Sequence, residues 1–174
     1  MARLVLLNGA VNAGKSTVAR LLRERCQRLA HIEVDDLTDF ADWMSLERKV
    51  PLGLVNACDV ARNFLAEGVD VLLTYPLSDA DFAFMRARLG AEIEPVGITL
   101  WCEPGRNREN RGTRVLSDWE RERIGWMHAN GVARPAFSLC IDTTRLTPEE
   151  TAAAVITASG LSLKENGPDE PGRR

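Results

Sequence analysis

The sequence predicts a three-layer α/β fold in which a five-stranded parallel sheet is covered by helices on both faces. Five short apolar runs alternate with longer segments of helical character along the 174 residues, and this alternation is typical of parallel sheets. Each run is apolar throughout rather than at every second position, which indicates strands buried on both faces. Ligands of such sheets bind beyond the carboxyl ends of the strands, so the residues that follow each strand are the candidates for function.

The individual elements follow from hydrophobic periodicity and from helix boundary signals. The predicted strands are residues 3–8, 31–35, 69–73, 96–102 and 137–141. Helices are predicted at 15–29, 37–47, 53–67, from Ser78 or Asp79 to about 89, within 103–130, and from Thr147 onward. Pro51 and Gly53 are predicted to separate the second helix from the third. Residues 1–160 are expected to form one domain, and residues 161–174 a flexible tail rich in Gly, Pro and charge.

A phosphate-binding motif connects the first strand to the first helix. Residues 9–16 read Gly-Ala-Val-Asn-Ala-Gly-Lys-Ser, the pattern G-x-x-x-x-G-K-[ST]. In this context backbone N–H groups and the helix N-terminus converge on an anion. Lys15 is expected to contact the β- and γ-phosphates of a nucleoside triphosphate, and the Ser16 hydroxyl to bind Mg²⁺. Further nucleotide contacts are expected from the other residues of the loop, which are Gly9, Asn12, Ala13, Gly14 and Thr17.

Composition narrows the class of partner. The formal net charge of −3 and the pI of about 5.5 provide no overall basic field, so neither nucleic acid nor an anionic membrane is an expected partner. The four cysteines are scattered and form no C-x-x-C pair, which predicts buried thiols in a reducing compartment rather than a zinc site. The N-terminus lacks the features of a signal peptide. A cytoplasmic protein is expected.

Carboxylates are predicted to close the second strand. Asp35 and Asp36 follow His31-Ile32-Glu33-Val34, and the second strand is expected to lie beside the first and to project toward the γ-phosphate. A carboxylate there can accept a proton from an attacking hydroxyl or hold Mg²⁺ through water. Asp36 could equally cap a helix that begins at Leu37. Asp35 is therefore the first choice for a base, whereas Asp39 and Asp42 are interpreted as a solvated face.

Arginines are concentrated between the fourth and fifth strands, at positions 106, 108, 111 and 114. At helical spacing Arg108, Arg111 and Arg114 would share one face. The segment around them has few apolar residues, so residues 103–130 are predicted to form a helical lid that brings positive charge to a transferred phosphoryl group. Arg111 is the first choice for this role and Arg114 the second. The alternative is an exposed helix that is merely charged.

Two absences in the sequence exclude other classes of phosphate-loop protein. The third strand ends in Thr74-Tyr75 without the Asp that motor ATPases and switch GTPases use to hold Mg²⁺, and an N-K-x-D guanine-reading motif is absent. A kinase whose metal-binding acid lies on the second strand remains compatible. Its acceptor pocket could be lined by Phe40, Trp43, Met44, Tyr75 and Leu77, although side chains of these types more often belong to the core.

The chain resembles the small P-loop kinases of the shikimate, gluconate and adenylylsulfate kinase group, and most closely the chloramphenicol phosphotransferase-like proteins. The resemblance covers residues 3–158 and rests on four features: residues 8–17 around the phosphate motif, Val34-Asp35-Asp36-Leu37, the arginine-rich segment, and Cys140-Ile141-Asp142-Thr143-Thr144. It implies the P-loop NTPase fold, Asp35 as the base, Arg111 and Arg114 in the lid, and Thr144 or Arg145 near the adenine. Shikimate kinase's glycine triplet after the third strand is replaced by Thr74-Tyr75-Pro76, which argues against shikimate as the acceptor. The Asp-Arg pair of nucleoside monophosphate kinases is also missing there.

The function expected from these features is ATP- and Mg²⁺-dependent transfer of the γ-phosphate to a hydroxyl of a small molecule, either a metabolite or an antibiotic. Asp35, Asp36 and Tyr75 are the expected acceptor-binding residues. The protein is expected to be a monomer or a homodimer. Two alternatives remain open at this point: a nucleotide-binding regulatory module without transfer activity, and a toxin-like kinase of the zeta type that acts on a sugar nucleotide.

Overall fold

The computed structural model describes residues 2–110 and 114–164. Five strands and seven helices alternate over these residues: β1 (Leu4–Asn8), α1 (Lys15–Arg25), β2 (Leu29–Glu33), α2 (Val34–Asp39), α3 (Leu46–Ala66), β3 (Asp70–Thr74), α4 (Asp79–Leu89), β4 (Val96–Trp101), α5 (Pro104–Asn107), α6 (Asp118–Ala129), β5 (Leu139–Asp142) and α7 (Pro148–Ser159). None of the described helices has the length and apolar character needed to cross a membrane. The predicted domain and tail boundaries stay predictions.

The five strands form one sheet in the order β2-β3-β1-β4-β5, and every pairing is parallel. The prediction that the second strand lies beside the first is wrong, because β3 lies between them. The physical reason is burial. The residues Val71, Leu72 and Leu73 of β3 are fully buried, as a central strand requires, whereas four of the five residues of β2 are partly exposed and suit an edge.

Helices cover the sheet on both faces, which confirms the predicted three-layer α/β fold. Side chains alternate along β1, so that Val5 and Leu7 pack with α1 and α7, whereas Leu4 and Leu6 pack with α2, α3 and α4. All five residues of β1 are buried. The phosphate motif therefore begins at the end of a strand that is buried along its whole length.

The strand that was predicted to end in carboxylates is shorter than expected. β2 ends at Glu33, and Asp35 and Asp36 lie in the first turn of α2, so the prediction that they close a strand, or that Asp36 caps a helix at Leu37, is wrong. Acidic residues are favourable in a first helical turn because they complement the helix dipole. Likewise, α1 ends at Arg25 rather than at 29, because β2 already begins at Leu29.

Pro51 and Gly53 do not separate two helices, as was predicted. Both lie inside α3, and the break in the helical region lies before Leu46. Gly53 has a packing role there, since a Cβ atom at this position would lie 2.5 Å from the Cγ2 atom of Thr38 in α2. The glycine allows α2 to approach α3 closely, and this approach fixes the position of the turn that carries Asp35.

The arginine-rich segment is not one helix. α5 ends at Asn107, and α6 begins at Asp118, where Ser117 and Glu120 form a capping box. Arg108 is the C-cap of α5 and Arg114 lies outside both helices, so the predicted helical face shared by the arginines does not form. Arg111 lies outside the described residues.

Candidate active site

The connection from β1 to α1 forms a tight loop whose shape depends on glycine. Gly9 has φ 151° and Gly14 has φ 92°, backbone conformations that glycine adopts at little cost. Asn12 has φ 63°, and the Ala13 N–H donates to the Ala10 carbonyl at 3.1 Å. The loop ends in the first turn of α1, which carries no acidic residue. Its free N–H groups and the helix dipole therefore favour an anion.

Gly9→Ala is expected to destabilise the protein, because the new Cβ atom would lie 2.7 Å from the Leu100 carbonyl oxygen of β4 and the backbone is in a region that alanine avoids. A loss of about 1–3 kcal/mol in the free energy of unfolding is expected, measured by urea denaturation. Gly105→Ala is the control, because nothing lies within 4 Å of a Cβ atom there. Equal stability of the two variants would contradict this account of the loop.

The Lys15 side chain folds back over the loop. Its Nζ atom donates to the carbonyl oxygens of Gly9 at 2.9 Å and Ala10 at 3.1 Å. Burial lowers the pKa of Lys15 to about 8, while the nearby carboxylates of Glu33 and Asp35 act in the opposite direction. Lys15 thus holds its ammonium group in a poorly hydrated position next to the loop, where phosphate oxygens could replace the two carbonyls.

A cavity of about 330 Å³ opens above this loop and is called the P-loop cavity here. It is lined by Val11, Asn12, Ala13, Gly14, Lys15, Ser16, Thr17, Glu33, Asp35, Pro76 and Arg114. The structure thus brings together most of the residues predicted around the phosphates. Gly9 does not line this cavity, but its carbonyl oxygen accepts a hydrogen bond from Lys15 Nζ.

A second cavity, of about 790 Å³, adjoins the first and is called the adjacent cavity here. Its lining residues come from the P-loop, from helices α2, α3, α4 and α6, from the connection between β3 and α4, and from the segment before α6: Val11, Asp35, Leu46, Glu47, Val50, Tyr75, Pro76, Asp81, Arg114, Trp119, Glu120, Arg123 and Met127. The two cavities share Val11, Asp35, Pro76 and Arg114. A group bound in one cavity could therefore react with a group bound in the other.

Asp35 lies at the junction of the two cavities. Partial desolvation raises the pKa of its carboxyl group, and Lys15 opposes this shift. Asp36, on the next position of the same helical turn, contributes to the lining of neither cavity. The structure thus distinguishes Asp35 from Asp36 as a candidate for the base, which the sequence alone could not do on geometric grounds.

Glu33 is a site residue that the sequence reasoning missed. It ends β2 opposite Thr74 of β3. Burial raises the pKa of its carboxyl group, and the Thr74 hydroxyl opposes this shift. It lines the P-loop cavity but not the adjacent one. The alternation of His31, Ile32 and Glu33 indicated the strand, but the predicted strand ended at residue 35, two residues beyond the observed end at Glu33.

The predicted acceptor-pocket side chains are divided by the structure. Tyr75 lines the adjacent cavity, and burial raises its pKa to about 12. Leu77 is buried in the core, which is the alternative that the sequence left open for it. Phe40 and Trp43 are 81% and 78% exposed and, like Met44, are not part of the lining.

The comparison with protein families shows which family the chain belongs to. The family model described as chloramphenicol phosphotransferase-like protein matches residues 2–159. The chain belongs to the chloramphenicol phosphotransferase-like family. This membership makes the protein a small-molecule phosphotransferase and confirms the resemblance found in the sequence. Among curated proteins, the sequence comparison finds no match.

Solved structures similar to this chloramphenicol phosphotransferase-like protein share its fold at low sequence identity. A sugar kinase from Janibacter sp. is 17% identical with a TM-score of 0.67, covering 92% of this chain and 96% of that one. The tunicamycin resistance protein of Deinococcus radiodurans is 16% identical with a TM-score of 0.65, covering 95% and 99%. The APS kinase of Mycobacterium tuberculosis, solved with AMPPNP and APS, is 19% identical with a TM-score of 0.54, covering 90% and 96%. The predicted P-loop fold is confirmed.

Two asparagines hold the loop of this family member in place, and their roles were not evident in the sequence. Asn8 is fully buried; it accepts from the Leu77 N–H at 2.7 Å and donates to Thr99 Oγ1 at 3.0 Å and to the Val132 carbonyl at 3.3 Å. Asn107 donates to the Val11 carbonyl at 2.9 Å. These bonds tie the phosphate loop and the strand before it to four neighbouring segments.

Three further residues were predicted to contact the nucleotide. Asn12 lines the P-loop cavity, whereas Thr144 and Arg145 do not. The Asn12 side chain donates to the carbonyls of Asn107 at 2.8 Å and Glu109 at 3.0 Å, so it holds the start of the arginine-rich segment. Thr144 and Arg145 lie in the turn after β5, where Thr144 Oγ1 accepts from the Glu103 N–H at 3.3 Å.

Proposed function

We propose that the protein transfers the γ-phosphate of ATP, with Mg²⁺, to a hydroxyl group of a small molecule that binds in the adjacent cavity. The observation that carries this proposal is the position of Asp35, a residue that lines both cavities. A base placed at such a junction can reach an acceptor hydroxyl on one side while phosphates occupy the other. The acceptor is a metabolite or an antibiotic.

The nucleotide is proposed to bind with its phosphates in the P-loop cavity. The N–H groups from Asn12 to Thr17 surround the β-phosphate, and Lys15 exchanges its two carbonyl partners for phosphate oxygens. Arg114 lines the same cavity and supplies positive charge near the transferred group. Arg111, and the placement of Thr144 or Arg145 near the adenine, stay predictions.

The residues of the P-loop cavity fit a magnesium ion. Among the described residues, no group of three or more His, Cys, Asp and Glu is arranged to hold a metal. Mg²⁺ needs no such cage, because phosphates and waters usually supply most of its ligands. The Ser16 hydroxyl would hold the ion directly, and Glu33 would hold it through water. When bound, the ion would neutralise charge on the phosphates.

Glu33→Gln is expected to weaken divalent-metal binding. We propose that Glu33 takes the place of the acid missing from the end of β3, because it lies opposite Thr74 at that position. The Mn²⁺ affinity of the protein–ADP complex, followed by electron paramagnetic resonance, is expected to fall about tenfold. Glu67→Gln, on the exposed end of α3, should leave it unchanged. Unchanged Mn²⁺ binding in the Glu33 variant would remove Glu33 from the metal site.

The proposed transfer step uses Asp35 as general base. Asp35 takes the proton of the acceptor hydroxyl as its oxygen forms a bond to the γ-phosphorus. The bond from that phosphorus to the β–γ bridging oxygen breaks, and ADP leaves. Lys15 and Arg114 balance the charge on the phosphoryl oxygens during the step.

Acceptor-stimulated release of ADP across a panel of metabolites and antibiotics tests the function. A phosphorylated product identified by mass spectrometry, together with ADP in equal amount, is the expected result. Nucleotide binding without product across a broad panel would instead favour the regulatory module. Growth arrest on expression that Lys15→Ala relieves, with a sugar nucleotide as acceptor, would favour the toxin-like kinase.

A further inference from the structure

The adjacent cavity is lined by four carboxylates, three of which lie in the first turns of long helices. Glu47 belongs to α3, Asp81 to α4 and Glu120 to α6; Asp35 is the fourth. The first turn of α1, which faces the P-loop cavity, has no acidic residue. Helix N-termini attract anions, and those around the adjacent cavity already have an acidic side chain of the protein in that place. The two cavities are therefore opposite in their preference for charge.

The two arginines among the described lining residues of the adjacent cavity each have a partner. Arg114 forms an ion pair with Glu120, with an Nη2–Oε1 distance of 3.0 Å. The guanidinium of Arg123 lies over the ring of Trp126, 4.3 Å from its centroid. These contacts reduce the positive charge that the two arginines present to an acceptor, and an anionic acceptor would also face the carboxylates of Asp35 and Glu47.

Two of the four carboxylates also have partners. The Asp81 carboxylate accepts from the N–H of Ser78 at 2.9 Å, and Glu120 accepts from Ser117 as well as from Arg114. Glu47 makes no hydrogen bond or ion pair with another residue in the described ranges 2–110 and 114–164. With two guanidiniums against four carboxylates, the lining formed by the described residues has a formal charge of −2. With Asp35 assigned to the acceptor hydroxyl, Glu47 is the carboxylate left to meet another group of the ligand.

The rest of the cavity wall is apolar. Leu46 and Trp119 keep 63% and 62% of their surface exposed, and they line the cavity together with Val50 and Met127. Burial of an apolar group against them would be favourable. An indole ring also attracts a cation that lies against its face. The wall thus combines apolar surface with negative charge.

From this arrangement we propose that the phosphate acceptor is a hydroxyl-bearing amine with an apolar body, and that anionic acceptors are rejected. The proposal rests on the proposed function, since it places the acceptor in the adjacent cavity. The ammonium group lies toward Glu47, the apolar body contacts Trp119 and Leu46, and the hydroxyl reaches Asp35. Electrostatic complementarity of this kind determines specificity more than affinity.

Three probes that share one skeleton test the charge preference. Phenylalaninol is cationic, N-acetylphenylalaninol is neutral and N-succinylphenylalaninol is anionic; all three carry the same aromatic ring and primary hydroxyl. Saturation-transfer NMR titrations are expected to give the strongest binding for the cation, weaker binding for the neutral probe and the weakest for the anion. A difference of at least about tenfold is expected between the first and the last. Equal binding of the three, a different order, or no binding of phenylalaninol would overturn the proposal.

Glu47→Gln tests whether Glu47 is the source of the charge preference. This variant is expected to reduce the preference for phenylalaninol over N-acetylphenylalaninol by about two- to fivefold, as for one exposed ion pair. Glu149→Gln is the matched control, because Glu149 is an exposed acid in the first turn of α7, outside the cavity. An equal effect of both variants, or no effect of Glu47→Gln, would contradict the assigned contact.

The titrations are made both with and without AMPPNP and Mg²⁺, so that two failures can be distinguished. The order of the probes without nucleotide decides the acceptor class, because it requires no transfer. Absence of AMPPNP binding, or binding without product for every acceptor, would overturn the proposed function instead.

Discussion

Lys15→Ala is expected to lower kcat for phosphoryl transfer by about 10²–10³-fold, the loss typical when one preorganised charge-stabilising group is removed. The ammonium group is held at the loop by two carbonyl oxygens and is the cationic side chain of the P-loop itself. Its contact with the transferred group should strengthen as charge develops, so kcat should fall more than the affinity for ATP. Steady-state kinetics with the identified acceptor, together with nucleotide titration, measures both effects.

Lys164→Ala is the control for this prediction. The chain has three lysines, and Lys164 lies far from the loop, donating to the carbonyls of Arg23 at 3.3 Å and Glu24 at 2.7 Å. Its removal should leave kcat unchanged. Full activity of Lys15→Ala would show that transfer does not use the P-loop and would reject the proposed function.

Asp35→Asn is expected to lower kcat by about 10²–10⁴-fold while nucleotide binding is retained, because an amide cannot take the proton of the acceptor hydroxyl. The raised pKa of the Asp35 carboxyl places its titration above that of an ordinary aspartate. The wild-type rate should therefore rise with pH as Asp35 loses its proton, and this limb of the pH profile should disappear in the variant. Rapid-quench kinetics across pH measures the chemical step.

Asp36→Asn is the control, since Asp36 lies in the same turn but lines neither cavity. It should keep both the rate and the pH profile of the wild type. If Asp36→Asn instead lost activity and Asp35→Asn kept it, the two roles would be exchanged. Full turnover in both variants would mean that the acceptor needs no carboxylate base from this turn.

The features predicted from the sequence are those determined locally. The motif from Gly9 to Ser16 specifies its own loop through glycine conformation and the following helix, and the apolar runs specify strands. Caps were also readable, as Ser78 and Thr147 show. Spatial order was not readable, because β3 reaches the centre of the sheet through packing against residues distant in sequence. Pro51 was predicted to break the helical region because of its local preference. It lies inside α3, where packing outweighs that preference.

The missed site residues depend on long-range contacts. Asn8 bonds to residues 69, 91 and 124 positions away in the chain, and nothing in its own neighbourhood signals those partners. Glu33 could not be selected from the sequence, because the second strand was predicted to continue to residue 35 and β3 was not expected beside it. The convergence of four helix starts on one cavity is likewise a property of the assembled sheet.

The unusual acidity of Lys15 makes phosphate binding a proton-linked event. With a pKa of about 8 in the free protein, a measurable fraction of the molecules has a neutral amine there in mildly alkaline solution. Incoming phosphate favours the charged form, so the protein must take up protons from the buffer as it binds. The free fold, whose lysine pKa lies below that of an unfolded chain, gains stability as pH rises from about 8 toward 10.5. Bound phosphate keeps Lys15 charged and so opposes that gain, and the occupied protein should therefore gain less stability than the free protein over the same pH range.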